Sequence, residues 1–503
     1  MQATEIHTHQ DKAELAGDGP VPVAFTPNDP ENPIAWSEAK RWRVLFVALT
    51  VSYTSAFNAA ANGAVSSGFR KEHPDVSATV FQCSSLVYLA MLGIGPLILA
   101  PVSETFGRRP MLASLTLLIT LLFLPQALAP NVISIIISRL VQGTFACIEG
   151  PIAAGVVADL TTKSNRGIMM STFVLAIFTA NSTGPLCANW VAQEIGWRWV
   201  YWIQMMSNGV CWLLCLFFFP ETRGEVILGK RAKALEASTG RSHYVNGLDV
   251  HESWATAFRI SCTRPLNFLF CESIVTALSL WVGFAWGVVF LFTSTTSHIF
   301  QKQYGFTQGQ GGTVLISSFI GAFISWCLNA TVQERLYQRA LVQGAGKAQP
   351  EVRLYSSAVG GIVFAVGLFC FGWTARPWIH WIVPSIFIVV VNVGLFSVYL
   401  ATYSYLGDTY ESFSSSAQAA QSLLRNILGG CFPLFSTVMY DKLTFPIAST
   451  VLGGIASFFA IIPWIIIFYG PALRARSSVA KAMELAEGTT LRDEPEPEMV
   501  HVV

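Results

Sequence analysis

The sequence has 503 residues, of which 52% are hydrophobic and only 12% are charged, and its formal net charge at pH 7 is +1. Soluble domains carry roughly 25% charged residues, so this composition indicates a polytopic membrane protein. The near-zero net charge gives no reason to expect nucleic acid as a partner. The cysteines have neither zinc-binding nor redox spacing, so we expect no metal and no cofactor.

In chain order, residues 1–42 come first, and their polar composition predicts a disordered tail. A helix needs about 20 apolar residues to cross a bilayer, and twelve later segments reach that length. The first six are 43–63, 79–100, 110–129, 131–157, 168–190 and 198–219. The last six are 266–296, 312–331, 354–374, 378–403, 414–438 and 447–470. The sequence therefore predicts an all-α membrane protein whose twelve transmembrane helices form two six-helix halves, 43–219 and 266–470.

A polar central loop, 220–265, separates the halves, and a polar tail, 471–503, ends the chain. The loop contains the basic, Ala-rich stretch "GKRAKALEA", which predicts an amphipathic surface helix. Most of the 31 Lys and Arg residues lie on the side of the loop and both tails. Because loops rich in Lys and Arg stay inside, we expect both termini and the central loop to be cytosolic.

Two helical halves around a cytosolic loop favour a secondary transporter with a central site. A membrane enzyme is the alternative, but the sequence has no His-rich cluster, no Gly-x-Ser-x-Gly and no metal-ligand spacing. An ATP-driven pump is not supported, because "LVQGAGKAQ" has Leu341 and Ala348 where a phosphate-binding loop needs Gly and Ser or Thr. We therefore expect a monomeric, non-enzymatic carrier of a small molecule that draws its energy from an ion gradient.

Charged residues inside the bilayer are costly and usually functional. Arg139, Glu149, Glu272 and Arg425 are the ones that we place well inside spans. Gln142 lies one turn from Arg139, and seven residues separate Gln142 from Glu149, so both face one side of a helix. This arrangement predicts that Arg139, Gln142, Glu149 and Glu272 take part in proton coupling. The alternative is a buried structural ion pair.

Polar and aromatic residues recur along single helix faces of several spans. They predict a broad amphipathic cavity for the substrate, although each one could instead serve packing. The candidates for this cavity are Asn58, Asn181, Trp286, Asn392, Tyr399 and Tyr403. Gly184 and Pro185 predict a kink in the fifth span, with a static packing bend as the alternative.

An ordered set of motifs resembles the major facilitator superfamily, specifically the twelve-span fungal drug:proton antiporter type. The motifs are "ENPIAW", "GPLILAPVSETFGRRP", "RLVQG", "STGP", "WRWVYW" and "PETRGEVILGKRAKAL". The resemblance covers about residues 32–477 and implies fungal origin, location in the plasma membrane and export in exchange for protons. Glu104 and Ala100 depart from the superfamily's loop motif, and Ala188 and Asn189 replace the Gly-Gly pair usual in the fifth span.

The short loop "APVSETFGRRP" between the second and third spans is the candidate gate. In the fold that the resemblance implies, its charges lie beside Asp159 at the cytosolic end of the fourth span. We expect a charge cluster there to hold the cytosolic face shut and to break when the halves move. The candidate gate residues are Glu104, Gly107, Arg108, Arg109 and Asp159.

The resulting hypothesis is a proton-coupled exporter of small amphipathic molecules, either xenobiotics or a secondary metabolite, working by alternating access. Export of an organic acid, with Arg139 or Arg425 as its anchor, or of a polyamine is the first alternative. A sugar carrier, suggested by "PETRG", and a non-transporting sensor are more remote ones.

Overall fold

The structure is a computed structural model that describes residues 21–26, 29–161, 166–245, 254–344, 349–410 and 413–476. The described residues are mostly helical, with one short two-stranded sheet. The predicted C-terminal tail beyond Arg476 lies outside the described residues.

The first half contains eight helices. They are α1 (Glu38–Glu72), α2 (Ala78–Phe106), α3 (Arg108–Leu121), α4 (Phe123–Ala127), α5 (Val132–Ala146), α6 (Glu149–Leu160), α7 (Arg166–Glu194) and α8 (Trp197–Phe218). The region between the halves contains α9 (Gly224–Thr239), β2 (His243–Tyr244) and α10 (Trp254–Cys271), and β1 (Val21–Pro22) precedes the first half.

The second half begins with the longest helix of that half, α11. Its helices are α11 (Ser273–Tyr304), α12 (Gln308–Thr313), α13 (Ile316–Leu328), α14 (Glu334–Gln343), α15 (Tyr355–Thr374), α16 (Ile382–Tyr410), α17 (Ser414–Leu443), α18 (Phe445–Phe459) and α19 (Ile461–Arg476). A π-helical turn, Asn329–Gln333, joins α13 to α14, and 3₁₀ turns occupy Pro33–Ala35 and Pro350–Leu354.

Within the described residues, 11 helical segments are long and apolar enough to cross a membrane. They coincide with eleven of the twelve predicted spans. The remaining prediction, 414–438, falls in α17, a helix of 30 residues that is more polar and packs against α11 and α2. The polytopic helical fold is therefore as predicted, whereas eleven of the twelve predicted spans meet the length and hydropathy expected of a transmembrane helix.

Several pairs of helices join the two halves. Contacts join α2 to α17, α7 to α13 and α1 to α11. We call the end of the bundle that carries α9 and residues 21–36 the inner end, and the opposite end the outer end. This arrangement puts the middle of α7, α11 and α16 at the centre of the molecule, where the candidate site lies.

Part of the tail that we expected to be disordered is ordered and packs on the central loop. Strand β1 pairs in parallel with β2, and the buried Asp29 forms an ion pair with the partly exposed Arg231 of α9. The N–H of Glu31 and the Arg231 guanidinium hold the pKa of Asp29 below its usual value. We call residues 21–26 and 29–36 the N-terminal segment. The predicted "GKRAKALEA" helix is present as α9, and this segment covers one of its faces.

Candidate transport site

A small cavity lies where the two halves meet, and we call it the central cavity. Its volume of roughly 10 Å³ is enough for about one water molecule. Phe178, Asn181 and Ser182 of α7 line it from the first half. Its lining from the second half is Val289, Phe292, Thr293, Leu315, Ser318, Asn392 and Leu395. Two of the predicted cavity residues therefore line this cavity, Asn181 from the first half and Asn392 from the second.

Beside this cavity, three predicted residues surround an intramembrane arginine. Tyr399 stacks on Trp286 with ring centroids 5.2 Å apart, and Tyr403 lies 6.2 Å from Tyr399. The Tyr399 hydroxyl accepts a hydrogen bond of 2.7 Å from Arg425. No sequence pattern pointed to Phe178, whose ring centroid lies 5.6 Å from that of Trp286 in the other half. The centre of the molecule thus combines aromatic rings, amides and one cation.

The remaining predicted cavity residue, Asn58, belongs to a separate group inside the first half. The backbone carbonyl oxygen of Asn58 accepts a hydrogen bond of 3.2 Å from the fully buried Arg139. The Arg139 guanidinium also lies 4.1 Å from the centroid of the Tyr88 ring. Gln142 accepts from Arg139 at 3.4 Å and from Gln126 at 3.1 Å. Asn58 therefore supports Arg139 rather than lining the central cavity.

The structure does not bring Arg139 and Glu149 together. Gln142 and Glu149 do face the same helix, α3, as their spacing predicts: Gln142 donates to the Ile119 carbonyl and Glu149 accepts from Thr116 at 3.4 Å. Arg139 points instead toward α1 and α2. The alternative reading, a buried ion pair of Arg139 with Glu149, is therefore not supported, because a helix places residues ten positions apart too far along its axis.

Glu272 also lies elsewhere than expected. It occupies the break between α10 and α11, at the inner end of the seventh span rather than well inside it. Its side chain is buried and accepts a hydrogen bond of 3.4 Å from the Tyr410 hydroxyl. The apolar run 266–296 did not predict the break at Glu272, because hydropathy does not distinguish the end of a helix from its middle.

The candidate gate contains the expected ion pair. Arg108 and Asp159 are 2.9 Å apart, and the guanidinium lies directly over Gly155. Gly107 has φ +89, a left-handed conformation that suits glycine and separates α2 from α3. The Arg109 side chain is exposed, and the side chain of Glu104 lies outside the described part of the chain. The pair joins α3 to α6 within one half, so it does not itself bridge the halves.

Glu221 also belongs to the candidate gate, although it is not among the residues predicted for it. Its carboxylate accepts hydrogen bonds of 3.1 Å from the backbone N–H groups of Arg108 and Arg109, where α3 begins. A carboxylate at a helix N-terminus satisfies free N–H groups and favours the helix dipole. The signal was available in "PETRG", but only the fold shows that this stretch returns to the start of α3.

The second half has a matching charged group at its inner end. Arg353 pairs with Glu334 at 3.2 Å and with Asp408 at 2.9 Å, and its guanidinium lies 3.3 Å from the Tyr337 ring centroid. Glu334 also packs against Gly167 of α7. This group therefore contacts both halves, whereas the ion pair of Arg108 with Asp159 lies within the first half.

Side chains from both halves also close the outer end. Gln308 donates to the Ala64 carbonyl at 3.0 Å and to Asn189 at 3.2 Å, and it accepts from Ser67 at 2.8 Å. Trp190 donates to Thr313 at 2.8 Å. With the inner contacts, these bonds join the halves above and below the central cavity.

The predicted kink in the fifth span does not interrupt its helix. Pro185 lies inside α7, which continues to Glu194, and the Asn189 side chain donates to the Pro185 carbonyl at 2.7 Å. A Cβ atom on Gly184 would lie 2.8 Å from the Phe57 carbonyl oxygen. Gly184 therefore permits close packing of α7 on α1.

Two helical bundles that meet at a cavity of mixed polar and apolar lining, with contacts at both ends, define a polytopic membrane transporter. A family model described as Major Facilitator Superfamily matches residues 44–433. The chain belongs to the major facilitator superfamily.

Curated relatives cover nearly the whole chain. It is 32% identical over 465 residues to the MFS-type efflux pump MFS2 of Trichophyton rubrum, covering 92% of this chain and 78% of that protein. It is 31% identical over 489 residues to the major facilitator superfamily multidrug transporter mdrA of Aspergillus fumigatus, covering 95% and 79%.

Solved structures have the same fold at low identity. The xylose transporter XylE from E. coli, in a partially occluded inward open conformation, matches with a TM-score of 0.59 and 14% identity over 84% of this chain and 98% of that chain. The human organic anion transporter MFSD10 matches with a TM-score of 0.57 and 15% identity over 84% and 99%. At such identities the likeness concerns the fold alone.

Proposed function

We propose that this protein exports small amphipathic molecules across the plasma membrane in exchange for protons, with both termini in the cytosol. The observation that carries the proposal is the central cavity, which lies between the two halves. Contacts between the halves close this cavity at both ends. A carrier that opens one end at a time needs such a shared, closable site. The names of two relatives, an efflux pump and a multidrug transporter, support export as the direction.

Xenobiotics or a secondary metabolite are the substrates that we propose. Mixed aromatic and amide surroundings suit amphipathic molecules of varied shape. Arg425 beside the cavity favours an organic acid as the second candidate. A polyamine has less support, because neither Glu149 nor Glu272 lines the cavity.

Transport in proteoliposomes tests this function. We expect purified protein to move a fluorescent amphipathic dye faster when a pH gradient is imposed, and an uncoupler to abolish that acceleration. Liposomes without protein are the control for passive leakage. Dye export that survives collapse of the gradient would contradict proton coupling, and absence of flux for every solute would favour the sensor alternative.

A further inference from the structure

We propose that Arg425 and its aromatic neighbours form a binding site for planar aromatic anions, such as aromatic carboxylates. The inference rests on the proposed function, because it names one chemical class among the exported molecules. The site, which we call the Arg425 site, consists of Arg425 of α17, Trp286 of α11, Tyr399 of α16 and Phe178 of α7.

The positive charge of the site has no acidic partner among the described residues. Arg425 donates to two neutral hydroxyl groups, that of Tyr399 at 2.7 Å and that of Ser422 at 3.2 Å. Its Nε atom is buried and makes no hydrogen bond. An arginine inside a membrane protein normally pairs with an anion, since an uncompensated charge there is costly. A bound carboxylate would supply the missing charge and acceptor.

Aromatic rings give the site flat walls. The Arg425 guanidinium lies 4.9 Å from the Trp286 ring centroid and 5.2 Å from that of Tyr399. The planes of Trp286 and Tyr399 differ by only 25°, so the two rings stack on one another and the stack ends in a flat ring surface. Such a surface favours a planar aromatic molecule, and the unpartnered, buried Trp286 Nε1 offers a second donor.

The position of the site suits a transported ligand. Phe178 comes from the first half, and it meets Trp286 edge-on at 5.6 Å and 76°. Phe178 also lines the central cavity. Movement of one half against the other therefore changes the distance between Phe178 and Trp286, which opens the site to a ligand in the cavity.

Arg139, the other arginine that we predicted inside a span, does not lie beside the central cavity. Arg139 is fully buried, and its contacts are with Asn58, Tyr88 and Gln142, all in the first half. A ligand could reach it only if the first half itself came apart. This difference singles out Arg425 as the anion site.

The chain offers a matched control for Arg425. Arg376 lies 5.2 Å from the ring centroids of both Trp373 and Trp378, so it is also an arginine over two aromatic rings. It lies in the outer loop between α15 and α16, away from the central cavity. Loss of its charge should leave binding in the cavity unchanged.

Calorimetric titration of the purified full-length protein tests the proposal with naphthoate and its neutral amide, naphthamide. We expect at least tenfold tighter binding of naphthoate by the wild type. Arg425→Gln should abolish that preference, Arg425→Lys should keep part of it, and Arg376→Gln should keep all of it. A charge-assisted hydrogen bond is strong enough to account for a tenfold preference.

Equal binding of acid and amide by the wild-type protein would overturn the anion site without need of any variant. A preference that survives in folded Arg425→Gln would overturn it as well. Dye transport by the same wild-type preparation separates the two proposals. Dye export without a naphthoate preference removes the anion site only, whereas a naphthoate preference without dye export supports the site and removes the exporter.

Discussion

Glu149 is a carboxylate buried in the first half with a neutral hydrogen-bond partner. Its side chain is 2% exposed and accepts from the Thr116 hydroxyl at 3.4 Å. Among the described residues, no lysine or arginine pairs with it. A charged carboxylate in such surroundings loses its hydration without gaining a counter-ion, so proton uptake changes its energy strongly. This environment makes Glu149 the residue that we expect to carry the coupled proton.

Replacing Glu149 with glutamine tests that role. Glu149→Gln keeps the size of the side chain and resembles its protonated form, so we expect normal expression but a rate of dye export that no longer depends on pH. Initial rates in proteoliposomes at a series of pH values measure this. Glu194→Gln, at an exposed position of the outer end, is the control. An unchanged pH profile in Glu149→Gln would reduce Glu149 to a packing role.

Small residues let helices approach each other closely in this fold. A Cβ atom on Gly394 of α16 would lie 2.5 Å from the carbonyl oxygen of Gly360 in α15. Gly407, thirteen residues further along α16, would meet no atom within 4 Å. Because lipid tails are as apolar as the helix surfaces, such close packing is what holds membrane helices together.

Alanine at these two glycines should therefore have opposite effects. Gly394→Ala forces α15 and α16 apart, and we expect it to lower the unfolding free energy by about 1–3 kcal/mol. Gly407→Ala should be neutral or stabilise by up to about 1 kcal/mol, since alanine favours the helix. Thermal unfolding of the purified proteins in detergent measures both. Equal unfolding temperatures for the two variants would show that the close approach is dispensable.

The apolar runs predicted where helices cross the membrane but not how far they continue. The first predicted span, 43–63, is the middle of α1, Glu38–Glu72. Hydropathy reports only the part of a helix within the hydrocarbon, whereas caps and packing set its ends. The same reasoning explains Glu272, which the run 266–296 placed inside a span although α11 begins one residue later.

Contacts within one helix were predictable, and contacts between distant helices were not. The pairing of Arg139 with Gln142 follows from their three-residue spacing. Phe178 carried no signal, because a phenylalanine in a membrane span is ordinary until a fold places it beside Trp286. Glu221 is more than a hundred residues from the helix start that it caps. Side chains of this kind are identified only once the helices are assembled.

At the scale of the whole molecule, the two halves touch at both ends of the central cavity. Gly63 of α1 and Ser294 of α11 form one of these contacts, where a Cβ atom on Gly63 would lie 3.8 Å from that of Ser294. This separation is close to the mean Cβ distance across a disulfide. A cross-link here would hold the halves together.

Transport by alternating access requires this contact to open. We expect Gly63→Cys combined with Ser294→Cys to lose dye export under oxidising conditions and to regain it after reduction. Each single variant is the control for the native cysteines. Full transport by the oxidised, cross-linked protein would show that the halves do not separate at α1 and α11.

The N-terminal segment also has a consequence for the order in which the chain is completed. Val21 donates to the Ser242 carbonyl at 2.9 Å, so the N-terminal segment can dock only after the ribosome has made the whole first half and the start of the central loop. Val23 then covers Ala232 and Val245 in a small apolar core. This docking is a long-range contact with a large loop to close. Until it forms, the apolar face of α9 around Ala232 stays uncovered, so docking of the segment can follow only once the first half is complete.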